Sequence, residues 1–314
     1  MKRPQIMVVM AATIEHSTAL LRAISLARRL DAVVRIRSFE YLEGLEKASS
    51  RGFDLEAYLA GRQAKLDEFA AKLRKEGVEA DAKVIWGHPL GEQIVFEALA
   101  LRPDLVIKDV PFHWEPARMS LNGLDWHLLG QCPAPLMLVQ PRSPSLPLRM
   151  VAAVDPQDEH GKPHELNHGI LRTATALAEQ IGAELDVVTA FEYIPMSGEW
   201  EYAGLMPDLT LYEELRKVSA EGLYDLCKEH GVPPSQMHVI DGPAAQRIVQ
   251  FATDRHVDLV VMGSIYRTGM RRLFLGSTAE GVFDTLPCDV LLIKPEGFAE
   301  ELERALETGK AKAA

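Results

Sequence analysis

Short apolar runs alternate with amphipathic stretches along the whole chain. Residues 6–10 form an unbroken apolar run, as a strand buried on both faces needs. Residues 18–30 space Leu20, Ile24, Ala27 and Leu30 at helical intervals. A strand is predicted at 33–36, then a charged amphipathic helix at 58–76 stopped by Gly77, a residue suited to a helix C-terminus. Strand 84–86, helix 93–101, strand 105–107, a helix around 125–129 and strand 136–139 complete a first set. The same order returns as strand 150–154, helix 164–181, strand 185–189, helix 211–230, strand 238–240, helix 246–255, strand 259–262, helix 279–286 and strand 290–293. Strands alternating with helices predict an α/β fold, a doubly wound and mostly parallel sheet covered on both faces.

The second set is a diverged copy of the first. With a shift of 154 residues, Ile94 and Val95 fall on Ile248 and Val249, and Asp104-Leu105-Val106 on Asp258-Leu259-Val260. Pro133 falls on Pro287, Leu138 on Leu292 and Pro141 on Pro295. Apolar matches are common among α/β proteins, but Asp and Pro matching at loop positions point to internal duplication. The organisation read from this is a first domain over 1–143, a second over 147–297 and a charged, Ala-rich tail over 298–314, expected to form a short helix that frays. The proline-containing stretch 141–147 is the joint.

Composition narrows the function classes. The chain has 314 residues, 47% hydrophobic and 25% charged, which suits two globular domains without metal or disulfide staples. Its net charge of −11 argues against nucleic-acid or anionic-membrane binding, which rests on Lys and Arg. Three scattered cysteines, Cys132, Cys227 and Cys288, form neither a disulfide framework nor a zinc motif. The apolar run 6–12 follows a basic start, but His16 and Arg22 interrupt what comes next, so it reads as a strand. No run reaches membrane-spanning length, and a cytoplasmic setting is expected.

The segment richest in chemistry begins at the end of strand 259–262. Gly263, Gly269, Gly276, Ser277 and Thr278 make a Gly-rich loop that opens a helix. Exposed N–H groups there suit an anion, glycine permits close approach, and Ser or Thr can cap the helix or contact phosphate. The bland reading is a strand-to-helix loop with an ordinary cap. This segment resembles the universal stress protein family, whose G-x2-G-x9-G-[S/T] motif binds ATP phosphates and ribose. Gly263, Gly276 and Ser277 match it, and Tyr266 stands where the second glycine belongs. The family's first-strand aspartate matches Asp155, and Pro287-Cys-Asp-Val-Leu-Leu-Ile and Cys132-Pro-Ala-Pro-Leu-Met-Leu-Val resemble its closing strand. The resemblance covers nearly all of both halves. It implies five-stranded, Rossmann-like adenine-nucleotide-binding sheets ordered 3-2-1-4-5, with the halves meeting through their last strands as an internal pseudo-dimer; a homodimer is also open. The implied ligand set is Asp155, Met262, Gly263, Tyr266, Gly276, Ser277 and Thr278.

The first half lacks these features. Asp109 stands at the place of Gly263, Phe112 at Tyr266, Asn122 at Gly276, Gly123 at Ser277 and Ala11 at Asp155. A carboxylate at the loop entrance repels phosphate, so this half reads as structural or as a binder of something uncharged. His164 and His168, i and i+4, could hold zinc with Asp158 or Glu159, or could lie on a solvated first turn with His160. Cys288 reads as a packed thiol. The segment 191–209 is unusually rich in aromatic residues and methionine, and either packs between the halves or roofs the crevice at the strand ends. The expected function is a cytoplasmic stress-response protein that binds a small molecule in its second half, ATP or another adenine nucleotide or a more apolar metabolite, without robust catalysis or catalytic residues. A weak ATP hydrolase and a structural adaptor with a vestigial pocket are the alternatives.

Overall fold

The structure is a computed structural model that describes residues 3–10, 17–41, 53–111, 121–141, 143, 145–156, 164–192, 209–264, 277–283 and 285–313. In the first half, β1 (Gln5–Met10), α1 (Thr18–Leu30), β2 (Val33–Glu40), α2 (Leu55–Lys75) and β3 (Ala80–Trp86) are followed by α3 (Leu90–Leu101), β4 (Leu105–Asp109), α4 (Gly123–Gln131) and β5 (Leu136–Val139). In the second, β6 (Arg149–Ala153), α5 (His164–Ile181), β7 (Glu184–Phe191), α6 (Leu209–Glu229) and β8 (Met237–Asp241) are followed by α7 (Ala244–Asp254), β9 (Leu259–Gly263), α8 (Ser277–Phe283), β10 (Asp289–Ile293) and a final α9 (Phe298–Ala313).

All strands join one ten-stranded sheet in the order β3-β2-β1-β4-β5-β10-β9-β6-β7-β8. Each half has the order 3-2-1-4-5 and is parallel throughout; the halves meet where β5 and β10 pair antiparallel, with Leu136, Met137 and Leu138 opposite Leu292, Leu291 and Val290. Along β1 the side chains alternate between two cores. Ile6, Val8 and Met10 enter one core with α1, α2, α5 and α6. Met7 and Val9 enter the other with α3, α4, α7, α8 and the start of α9. Period-2 alternation across a sheet covered on both faces produces a strand with no polar position.

Several strands outrun their apolar runs because their polar residues find partners. β2 extends to Glu40: Arg37 pairs with Asp81 and Glu97, and Glu40 with Arg62 and the Tyr58 hydroxyl. The free edge of β3 is covered by side chains of α2: Gln63 Nε2 donates to Ala82 O (3.0 Å), its Oε1 accepts from Val84 N–H (2.8 Å), and Arg74 donates to Ala80 O. An edge satisfied in this way offers less to a passing strand. The donors recur under the shift of 154: Tyr212 and Arg216 hold Asp241 of β8, and Tyr58 and Arg62 hold Glu40 of β2, although the two acceptors are not equivalent positions.

Where the halves meet, Arg22 of α1 and Asp289 of β10 form an ion pair of 2.7 Å with both side chains fully buried. Asp289 also accepts from Gln140 N–H (2.8 Å) and the Ser143 hydroxyl (2.6 Å). The tail forms the helix α9, and its start is anchored. Phe298 and Leu302 are buried in the second core, and Arg102 of the first half pairs with Glu300 and Glu303. Those two leucine- and phenylalanine-sized side chains supply the burial; the exposed ion pairs add little.

A compensating exchange relates the halves at the close approach of α3 to α4 and of α7 to α8. A Cβ on Gly91 would lie 2.4 Å from the His127 ring, and one on Gly281 would lie 2.8 Å from the Ala245 Cβ. The shift of 154 pairs Gly91 with Ala245 and His127 with Gly281, so the glycine has changed helices. We expect Gly281→Ala to destabilise the protein by about 1–3 kcal/mol through overpacking. Adding Ala245→Gly should recover part of that loss in urea denaturation, and strict additivity of the two changes would show that the contact is not the cause.

Candidate ligand site

β6 and β9 are hydrogen-bonded neighbours, with Ala153 opposite Met262. Asp155 and Gly263 therefore leave adjacent strands at the same carboxyl edge of the sheet. From this pair the chain turns to α5 on one face and to α8 on the other. That is the point where the strand order reverses, and open α/β sheets bind ligands in the crevice it creates.

Asp155 is exposed at this edge. Its backbone is held by one amide of α5: Asn167 Oδ1 accepts its N–H at 3.1 Å, and Asn167 Nδ2 donates to its carbonyl at 2.7 Å. This double contact fixes where the strand ends and so where the carboxylate starts. The Met262 side chain is buried in the core, which leaves its backbone as the part that borders the crevice. Gly263 has a packing reason for its identity beside the one expected. A Cβ there would lie 2.8 Å from Leu166 Cδ2 and 3.0 Å from Ile170 Cδ1. The missing side chain thus admits α5 close to the strand end, a packing role that does not require a phosphate nearby.

Ser264, which is not part of the family motif, is 2% exposed, and its hydroxyl is buried with no hydrogen-bond partner among the described residues. Its N–H donates to Ile293 O at 3.1 Å. A buried hydroxyl without a partner costs free energy and marks a place where a ligand or water can contribute. The available signal was a Ser next to the motif's first glycine. Ser277 opens α8 and Thr278 is half-buried one residue on. Tyr266 and Gly276 lie outside the described residues, so the replacement of the motif's second glycine by Tyr266 is read from the sequence alone.

The first half fills the equivalent place with its own carboxylate. Asp109, at the end of β4, accepts from the Ser17 hydroxyl at 2.5 Å and from Ala19 N–H at 2.7 Å. Burial pushes its carboxyl above the ordinary carboxylate range, opposed by these bonds and by Lys108. Ser17 in turn caps α1 by accepting from Leu20 N–H at 3.0 Å. An internal anion thus occupies the helix start that an anionic ligand would use. Asn122, expected at the second loop glycine, forms a capping box with the fully buried Asp125 (3.0 and 2.9 Å), which Lys108 neutralises at 2.6 Å. Asp109, Asp125 and Lys108 are thus satisfied within this half, in keeping with a structural role; Ala11 and Phe112 lie outside the described residues.

The remaining candidates separate from the crevice. His168 turns to His230, with Nδ1 and Nε2 2.9 Å apart, and Glu229 Oε2 is 3.8 Å from His168 Nδ1. Among the described residues no group of three His, Cys, Asp or Glu side chains is arranged to hold a metal. The side chain of His164 and the residues His160, Asp158 and Glu159 lie outside that description. All three cysteines are buried. Burial raises the thiols of Cys132 and Cys227 to about 11 and lifts that of Cys288 further still, which leaves them poor nucleophiles at neutral pH. Of the aromatic segment 191–209, Phe191 ends β7 and packs its ring 5.4 Å from Tyr212 of α6; residues 193–208 lie outside the described residues. No helix among the described residues is long and apolar enough to cross a membrane.

Comparison with known proteins follows the same division. Residues 149–294 match the universal stress protein family. Over 295 residues the chain is 28% identical to universal stress protein E of Escherichia coli K12, covering 92% of this chain and 93% of that one. It is 29% identical over 248 residues to universal stress protein E of Photorhabdus laumondii, covering 78% and 79%. A crystal structure of a functionally unknown protein from Pseudomonas aeruginosa PAO1 superposes with a TM-score of 0.77 at 26% identity, covering 98% of both chains. A universal stress protein from Archaeoglobus fulgidus shares the fold, with a TM-score of 0.63 at 16% identity over 92% and 98% of the two chains.

Proposed function

We propose, for a chain that is a tandem member of the universal stress protein family, that its second half is a small-molecule sensor of the stress response and its first half a scaffold. The ligand enters the crevice between the ends of β6 and β9 and is an adenine nucleotide or a more apolar metabolite. Asp155 meets its polar end, and Gly263, Ser264, Gly276, Ser277 and Thr278 border the remainder. Binding, not turnover, is the output, and the protein acts in the cytoplasm.

The observation that carries this reading is the difference between two copies of one fold. In the first, Asp109 occupies the strand end and is bonded to Ser17 and Ala19. In the second, the strand end has a glycine, a positioned Asp155 and a buried Ser264 hydroxyl with no partner among the described residues. A duplicated site that has lost its purpose can accumulate such internal plugs, and a site in use cannot.

Isothermal titration with ATP tests this. The expected affinity is micromolar or weaker, because Tyr266 replaces a glycine beside the phosphates. Asp155→Ala should weaken binding by about ten- to a hundred-fold, the worth of one charge-assisted contact. Binding that ignores Asp155→Ala places the ligand elsewhere, and submicromolar ATP affinity would show that Tyr266 is no obstacle.

A further inference from the structure

A cavity lies in the half assigned to scaffolding. It is a cleft of about 500 Å³ between α1 and α2, lined by Ser17, Leu20, Leu21 and Ile24 on one side and by Lys65, Glu68, Phe69 and Lys72 on the other. That volume falls in the range of small-molecule sites. Leu20 and Ile24 form a buried floor, 3% and 9% exposed, whereas Leu21 is 61% exposed. Lys65 and Lys72 are two turns apart on one face of α2, both exposed, and neither ammonium group has a hydrogen bond or ion pair among the described residues. Glu68 stands between them, also exposed, and reduces the local charge to a net of one positive. In a chain of net charge −11, such a spot is a local exception.

The duplication supplies an internal control. α2 and α6 have equal length and coincide under the shift of 154. Lys65 falls on Ser219, Phe69 on Leu223 and Lys72 on Leu226, and those residues are 2%, 2% and 9% exposed. In the second half α5 packs on α6. The scaffold can therefore close this cleft, and in the first half it is open, apolar at the floor and positive at the rim.

We propose that this cleft binds a long-chain fatty acid, its hydrocarbon along Leu20, Leu21, Ile24 and Phe69 and its carboxylate at Lys65 or Lys72. Burial of the chain supplies most of the affinity, since apolar area removed from water is the main favourable contribution in such sites. The ammonium groups select an anionic head over a neutral one. The site is separate from the crevice of the second half and does not depend on what binds there.

Fluorescence titration of the full chain with dansyl-labelled undecanoate is the test. The dansyl emission should rise and saturate, and hexadecanoate should displace the probe at least about tenfold more effectively than hexadecanol. Leu21→Asp and the double change Lys65→Glu with Lys72→Glu should each weaken the probe by about tenfold or more, because they put negative charge beside the chain or the head. All three positions are exposed, so the variants should melt with the parent. Asp155→Ala should leave probe binding unchanged. No saturable rise, equal displacement by hexadecanol, or affinity unmoved by the cleft variants would overturn the assignment. Loss of probe binding in Asp155→Ala would overturn it as well, by placing the probe in the other half, while the reading of that half would stand.

Discussion

Asp289→Ala is expected to cost about 3–5 kcal/mol of folding stability, because it removes the carboxylate that pairs with the buried Arg22 guanidinium. Both side chains are fully buried and 2.7 Å apart. Burial pushes the Asp289 carboxyl upward, opposed by Arg22 and by the bonds from Ser143 and Gln140. The pair joins α1 of one half to the start of β10 in the other, so the loss falls on the seam that makes the two halves one sheet. Arg22→Met with Asp289→Asn removes both charges while an amide oxygen can still accept from Gln140 and Ser143. That double variant should be more stable than Asp289→Ala, and a double-mutant cycle should return a coupling of about 1 kcal/mol or more. Guanidinium denaturation measures the parent, Asp289→Ala, the two single variants of the cycle and the double variant. A loss below about 1 kcal/mol for Asp289→Ala would mean that water or a rearranged partner reaches Arg22, and the seam would not depend on this pair.

Lys294→Gln should stabilise the protein at neutral pH and abolish a rise of stability in the alkaline range. Lys294 follows β10, and its amine donates to Leu129 O and, at 3.3 Å, to Gly130 O near the C-terminal end of α4, with the Phe298 ring 5.0 Å away. Burial lowers its pKa from 10.5 to about 8, and the effect of Cys132 opposes the shift. Below pH 8 the folded and unfolded chains both hold the proton, and the cost of burying the charge is fully present. Between about 8 and 10.5 the unfolded chain retains a proton that the folded chain has released, so stability rises with pH across this window. The repeat suggests the replacement. Gln140 occupies the corresponding place in the first half, and its Nε2 donates to Leu286 O (3.0 Å) and Cys288 O (2.8 Å). A glutamine at 294 can serve the same kind of carbonyls without a charge, which should be worth about 1–3 kcal/mol at pH 7. The difference between parent and variant should shrink toward pH 10.5. A difference that is flat with pH, or a variant weaker at neutral pH, would mean that the ammonium's attraction to the helix carbonyls outweighs its desolvation.

The pattern along the chain determined the elements and their order. An apolar run such as 6–10 is possible only in a strand covered on both faces, and the spacing in 18–30 belongs to a helix with one buried stripe. Element type is recorded locally because each residue's exposure repeats with the period of its own backbone. The duplication was legible for the same reason: Asp104 on Asp258 and Pro133 on Pro287 are local matches that need no knowledge of contacts. Strand order and the meeting of the last strands came from family resemblance, and the sheet has both. Tertiary structure decided which distant group satisfies each polar residue. Nothing near Arg22 announces Asp289, 267 positions away. Nothing in the motif tells that Gly263 makes room for Leu166 and Ile170, or that Asp109 is held by Ser17 and Ala19. The charged tail looked solvated because most of its residues are; two of them, Phe298 and Leu302, found the second core. Periodicity records that a face is buried, but the partner that buries or neutralises it is chosen by the packing of the whole chain.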